Sequence, residues 1–210
     1  RRRDARSQRR RVAVAARAHR WVERAWATNV LGPLAFQRPL LSRLSRVLVI
    51  GAGLMIKGRF DACRTPIGED FSWYRTYATT KLAFAVAMRD VARANPHLDV
   101  AVIHPGVVRT DLGARRGVLG WLVDRVKQRW ESPEDCAERL VRFIGRERWS
   151  PPGDARWFVL DEEQPWPAIV DESAAAVRAA LPAALLAPQK DVEARAEAVA
   201  VLAAGVGERA

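Results

Sequence analysis

Apolar positions change their period several times along the 210-residue chain, and each change marks an element. Between Trp21 and Leu44, the residues Trp26, Val30, Leu34, Leu40, Leu41 and Leu44 recur at mostly helical spacing. Pro33 and Pro39 are expected to kink that helix. Residues 46–53, RVLVIGAG, abandon the period; a β-branched and leucine run closing on glycines predicts a buried parallel strand. The polar, irregular stretch 57–73 predicts a loop. The helical period returns from about Trp73 to Ala94, with Leu82, Val86, Ala87, Val91 and Ala92 as its apolar stripe. Asn95-Pro96 ends it. A second buried strand follows in LDVAVIHPG, 98–106, which closes on a Pro-Gly turn, and a short amphipathic helix in VLGWLVDRVKQRW, 118–130. Ser132, Pro133, Glu134 and Asp135 supply an N-cap, a first-turn proline and two first-turn acids, and open a helix to about Gly145. ARWFVLDEE, 155–163, predicts a third strand. The chain from Asp171 is alanine-rich and helical, broken by Pro182 and Pro188.

The resulting order, helix–strand–helix–strand–helix–strand, predicts an α/β fold built on a parallel sheet with right-handed crossovers. Three regions are expected: an arm over 1–20, an α/β domain over 21–170 and an alanine-rich helical tail over 171–210. The arm shows no sustained period, and Val12, Ala13, Val14 and Ala15 are its only apolar cluster. It is expected to contribute little to the core.

Charge sharpens this division. The formal net charge is +11, and residues 1–24 hold ten arginines against Asp4 and Glu23, so most of the excess lies in the arm. A basic arm can bind nucleic acid or an anionic surface, but no aromatic stacking motif or second basic patch supports that use, and nucleic acid is not the expected partner. Two cysteines, Cys63 and Cys136, make no disulfide framework and fit a reducing, cytoplasmic setting. No window approaches twenty apolar residues, so no membrane span is expected. His97 and His104 have no companions at metal-ligand spacing, and no metal site is expected. The chain begins at Arg1 and not at a methionine, which suits a fragment, a processed chain or a displaced start.

The chemistry concentrates at YATTKLA, residues 77–83. Tyr77 and Lys81 stand four apart and share a helix face. An ammonium beside a phenol stabilises the phenolate and lowers its pKa from about 10, which suits a general acid or base. Isolated Tyr-x-x-x-Lys matches are common on helix surfaces, so context carries the weight. Here the pair lies between two predicted strands, and the second runs into HPGVVRTDLG, a turn at the carboxyl end of the sheet, where open α/β folds bind ligands.

Taken together, these motifs resemble the second half of a short-chain dehydrogenase/reductase. The resemblance rests on an Asn-x-x-Gly helix (Asn29, Gly32), the following strand, the Tyr-x-x-x-Lys helix (Tyr77, Lys81) and a Pro-Gly-x-x-x-Thr turn (Pro105, Gly106, Thr110), in that order. It covers roughly residues 24–163, and the long loop before Tyr77 is similar to the retinol-type and orphan subgroup. It implies a partial Rossmann-like, doubly wound sheet that lacks the N-terminal βαβ cofactor half. It also implies NAD or NADP as cofactor and a small carbonyl or alcohol as substrate. Tyr77 would exchange a proton with the substrate oxygen. Lys81 would lower the tyrosine pKa and hold the nicotinamide ribose, and Asn29 would orient Lys81 through a water. Pro105, Gly106 and Val108 would line the nicotinamide, and Thr110 would reach its carboxamide or the phosphates.

Two departures set this chain apart from that pattern. The family strand ends in serine, whereas Gly51 and Ala52 stand here. The glycine-rich dinucleotide loop and the Asn-Asn-Ala-Gly segment are missing, and the arginine arm occupies the place of the latter. An impaired oxidoreductase is therefore expected. A non-catalytic dehydrogenase-like binding protein and an anion or nucleic-acid binder acting through the arm are the alternatives. The strand 46–50, without the neighbour that the family provides, is expected to expose an apolar edge and favour self-association.

Overall fold

The computed structural model describes residues 22–109, 130–182 and Leu185. The arm, the segment 118–129 and nearly all of the tail beyond Pro182 lie outside the described residues.

Helix α1 is a composite. It runs as an α-turn (Arg24–Trp26), a π-turn (Ala27–Leu31), a second α segment (Gly32–Gln37) and a 3-10 end (Arg38–Arg43). Pro33 and Pro39 stand in the first two positions of the second α segment and of the 3-10 end, at the seams where the helix type changes. Glu23 caps the start by accepting from the Trp26 amide at 2.7 Å. Trp26, Val30, Leu34 and Leu41 form the buried stripe.

Strand β1 (Arg46–Ile50) leads through a 3-10 turn (Gly53–Lys57) and a polar loop into helix α2 (Trp73–Ala94). The helix bounds match the sequence pattern at both ends. Strand β2 (Asp99–His104), helix α3 (Pro133–Ile144), strand β3 (Ala155–Val159), strand β4 (Glu162–Gln164) and helix α4 (Ala168–Ala180) complete the described fold. Ser132 caps α3 as its sequence predicts, its hydroxyl accepting from the Asp135 amide.

The sheet has the order β1-β2-β3-β4. β1, β2 and β3 are parallel, with Leu48 opposite Ala101 and Val102 opposite Trp157. β4 is antiparallel, a correction to the single strand expected over 155–163. Leu160 takes a positive φ of 60° and turns the chain back, so that Val159 pairs with Glu162. Such a turn is uncommon at leucine, which is why the sequence shows no sign of it. β4 is three residues long, exposed and carries Glu162 and Glu163.

Side-chain alternation sorts the strands into two faces. Val49, Val100 and Val102 pack with α1, α2 and α4, around Leu82, Val86, Val91, Val170 and Val177. Ala101, Ile103 and Phe158 pack on the other face against Phe143 of α3 and Trp149. α2 and α3 thus lie on opposite faces while both connections step the same way across the sheet. The two crossovers have opposite hand, so one of them departs from the right-handed rule.

Asp99 ties the strand starts together. Its carboxylate accepts from the backbone amides of Trp149 and Ser150, from the Ser150 hydroxyl and from Arg46 Nε at 3.2 Å. Arg46 also donates to the carbonyls of Ile144 and Arg146 and stacks over Trp149. Asp90 receives both Arg178 and Arg93, which fastens α4 to α2.

Candidate functional site

The carboxyl ends of β1 and β2 converge on the first turns of α2. The start of that helix is held from within, because Thr76 Oγ1 accepts the Ser72 amide at 3.0 Å. Thr79 bonds both the amide and the carbonyl of Arg59 and pins the preceding loop to the helix. Tyr77 and Lys81 project on one side of α2, and the ammonium lies 5.8 Å from the phenol ring centroid. Lys81 Nζ reaches the sheet and donates to the Ile50 carbonyl at 2.9 Å.

The electrostatics differ from the sequence expectation. Burial pushes the Tyr77 phenol up, although its side chain remains 41% exposed. Burial lowers the Lys81 ammonium. Desolvation disfavours the charged form of each group and outweighs their mutual attraction at this separation. Tyr77 is thus a neutral phenol at pH 7, a proton donor. The sign for stability follows: the neutral phenol favours the fold below the ordinary value of about 10, and that contribution fades as pH rises through the higher folded value. The chain has two tyrosines. A spectrophotometric titration differenced against Tyr77→Phe should therefore show Tyr77 ionising above the ordinary value, and ionisation below it would refute this account.

Asn29 lies in the π-turn of α1. A π-turn is an uncommon local geometry that recurs at functional sites, and here it directs the carboxamide at α2. Asn29 Nδ2 donates to Thr80 Oγ1 at 3.1 Å, and Thr80 Oγ1 donates to the Tyr77 carbonyl at 3.0 Å. Asn29 is therefore fastened to the Tyr77 turn through Thr80. Sequence reasoning passed over Thr80, fully buried between Tyr77 and Lys81; its position at i+3 from the tyrosine was the available signal.

A second residue at this end of the sheet, set aside in the sequence as a metal ligand, is His104. It shares the α2 face of β2 with Val100 and Val102 by alternation, and its ring packs on Gly53 beyond the end of β1. Burial lowers its pKa, so it is neutral at pH 7.

The turn after β2 is strapped from the other side. Arg139 of α3 pairs with Glu131, and its Nη2 also donates to the Pro105 carbonyl. The pair holds the Glu131 carboxyl below the usual range. Gly106 has φ +94°, and a Cβ there would meet Leu160 Cδ2 at 2.8 Å, so the position requires glycine. Val108 bridges to Glu131, and the Arg109 amide donates to the Glu131 carbonyl at 2.9 Å. Pro105, Gly106 and Val108 thus form a held backbone wall. Thr110 lies outside the described residues.

A groove of about 280 Å³ opens between α1, α2 and β1, lined by Asn29, Pro33, Gln37, Leu48, Lys81 and Phe84 among others. Gly51 and Ala52, where the resemblance expects serine, are both buried, Ala52 at 7% exposure. A Cβ at Gly51 would meet Trp157 Cζ3 at 2.9 Å and Val102 Cγ1 at 3.0 Å. Among the described residues no cluster of His, Cys, Asp and Glu suits a metal ion, and no helix is long and apolar enough to cross a membrane.

No protein-family model, curated protein or solved structure matches the chain.

Proposed function

We propose that this chain carries the proton-transfer half of a short-chain-type, NAD(P)-dependent carbonyl or alcohol oxidoreductase. One observation supports it above others. A Tyr-x-x-x-Lys pair stands at the carboxyl end of a parallel sheet, with an asparagine in a π-turn fastened to the same helix turn.

The residues suit one end of the cofactor. Lys81 has three N–H donors and spends one on Ile50, leaving two for ribose hydroxyls. Asn29 and Lys81 line the same groove. Among the described residues no glycine-rich turn between a strand and a helix suits the pyrophosphate. When bound, the cofactor supplies the hydride. The rest of the work falls to side chains. Tyr77, neutral at pH 7, gives its proton to the substrate oxygen. Lys81 sits close enough to stabilise the phenolate that remains. Thr80 and Asn29 hold the Tyr77 turn in place, and the wall at Pro105 and Gly106 limits where a flat ring can lie.

The test joins a complete dinucleotide-binding half to residues 25–210 and assays a carbonyl panel with NADH and NADPH. The chain alone should turn over nothing. The chimera should be active, and Tyr77→Phe should lower its rate by about 10²–10⁴, the range for a positioned acid. Activity in the chimera that survives Tyr77→Phe would sink the proposal. A second reading, a non-catalytic dehydrogenase-like binding protein, is favoured by the closed space at Gly51; cofactor binding by the chimera without turnover would support it.

A further inference from the structure

The loop between β1 and α2 closes a second, smaller cavity against the first turns of that helix. It measures about 40 Å³ and is lined by Arg59, Thr65, Asp70, Arg75, Thr76 and Thr79. By their spacing, Arg75, Thr76 and Thr79 fall on the helix face opposite Tyr77 and Lys81. One buried water needs about 10–15 Å³ on this scale. The cavity therefore takes a few heavy atoms, a tetrahedral oxyanion rather than a sugar or a nucleotide.

Its hydroxyls differ in what they have left to give. Thr79 Oγ1 accepts the Arg59 amide and donates to the Arg59 carbonyl, so it only anchors the loop. Thr65 Oγ1 accepts the Asp61 amide at 3.0 Å and donates to Asp70 Oδ2 at 2.7 Å, so it fixes one carboxylate oxygen. Thr76 is unspent. It is only 8% exposed, its oxygen accepts the Ser72 amide, and its hydroxyl proton has no acceptor among the described residues. A buried donor is costly in that state unless something in the cavity accepts from it.

The charges point the same way. Arg59 gives Nη1 to the Gly58 carbonyl and keeps its other donors. Arg75 has no hydrogen bond or ion pair among the described residues. Neither guanidinium pairs with Asp70, although all three line one small space. Two cations and the Thr76 hydroxyl are thus donors to an anion set between them. The second oxygen of Asp70 is an acceptor, and it can face an anion only through a proton on that anion.

We propose that this cavity binds free hydrogen phosphate, held by Arg59, Arg75 and Thr76 and read by Asp70 through its P–OH. Sulfate has the same shape but no proton at pH 7, so Asp70 repels it. A phosphate monoester is also mostly unprotonated there, with a second pKa of about 6, and its substituent exceeds the cavity. The test is an amide-resolved NMR titration of the full 210-residue chain with inorganic phosphate at pH 7. Ionic strength is held fixed, because the ten arginines of residues 1–24 also attract anions. The Arg59 and Thr76 amides should shift saturably. The same shifts should need at least about tenfold more phosphate in Arg75→Ala, the loss expected for one charge-assisted contact. Arg75 bonds nothing among the described residues, so the variant should stay folded, which the Val102 amide of β2 reports. Sulfate and phosphoserine should bind the parent at least about tenfold more weakly than phosphate, and Asp70→Asn should erase the preference over sulfate. No saturable shift at Arg59 and Thr76 overturns the proposal. So do shifts unchanged in Arg75→Ala, which would put the ion elsewhere, and sulfate or phosphoserine binding the parent as well as phosphate does.

Discussion

Ala52→Ser, made in the chimera that joins a complete dinucleotide-binding half to residues 25–210, is expected to raise kcat/KM for carbonyl reduction by about 10²–10³. That is the range lost when one positioned donor to a reacting oxygen is removed. The structure separates the two candidate serine positions, which the sequence leaves equivalent. Ala52 already carries a Cβ on extended backbone, with φ −150° and ψ 132°. A serine there adds one oxygen. Gly51 has no such room: its missing Cβ would press on Trp157 and Val102. Gly51→Ser should instead destabilise the fold, by about 1–3 kcal/mol as overpacked cores do, with no gain in rate. Steady-state kinetics and urea unfolding of the two variants measure both effects. Rescue by Gly51→Ser and none by Ala52→Ser would reverse the assignment of the substrate side.

The second large effect concerns Asp99. Asp99→Ala is expected to destabilise the domain by about 3–5 kcal/mol, since each buried donor left without an acceptor costs about 1–3 kcal/mol. Two buried amides, of Trp149 and Ser150, lose their acceptor together, and Arg46 loses its carboxylate. Whole domains are stable by only about 5–15 kcal/mol. Asp99→Asn keeps one oxygen for the amides and gives up the charge opposite Arg46, so it should cost less than half as much. Equal losses for the two variants in urea unfolding would show that charge, and not amide satisfaction, dominates there.

Much of the scaffold was legible in the sequence because local signals coincide with burial. α2 keeps a helical period over six turns and meets Asn95-Pro96 where that period stops; its observed bounds are Trp73–Ala94. Strand β2 carries an unbroken apolar run over residues 100–103 that is buried on both faces. Ser132 announces α3 by its cap. The candidate site was legible as residue types and order, not as interactions. Nothing local in WFVLDEE marks Leu160 as a turn residue. The link through Thr80 joins residues 51 positions apart, and Arg139 reaches Pro105 over 34. The direction of the Tyr77 pKa depended on burial, which a spacing of four does not report.

The two margins of the sheet are unlike, and this bears on what the protein can build. β4 is brief, bent back on β3 and studded with Glu162 and Glu163, features that deter another strand from adding there. β1 is apolar and backbone-rich on its outer side. A molecule with one acceptor margin and one blunted margin is a chain terminator. Another copy of this sheet can add through β1 and not through β4, so two copies joined at β1 leave only β4 margins outward. Open-ended fibres require a head and a tail that fit each other, and among the described strands only β1 is a head.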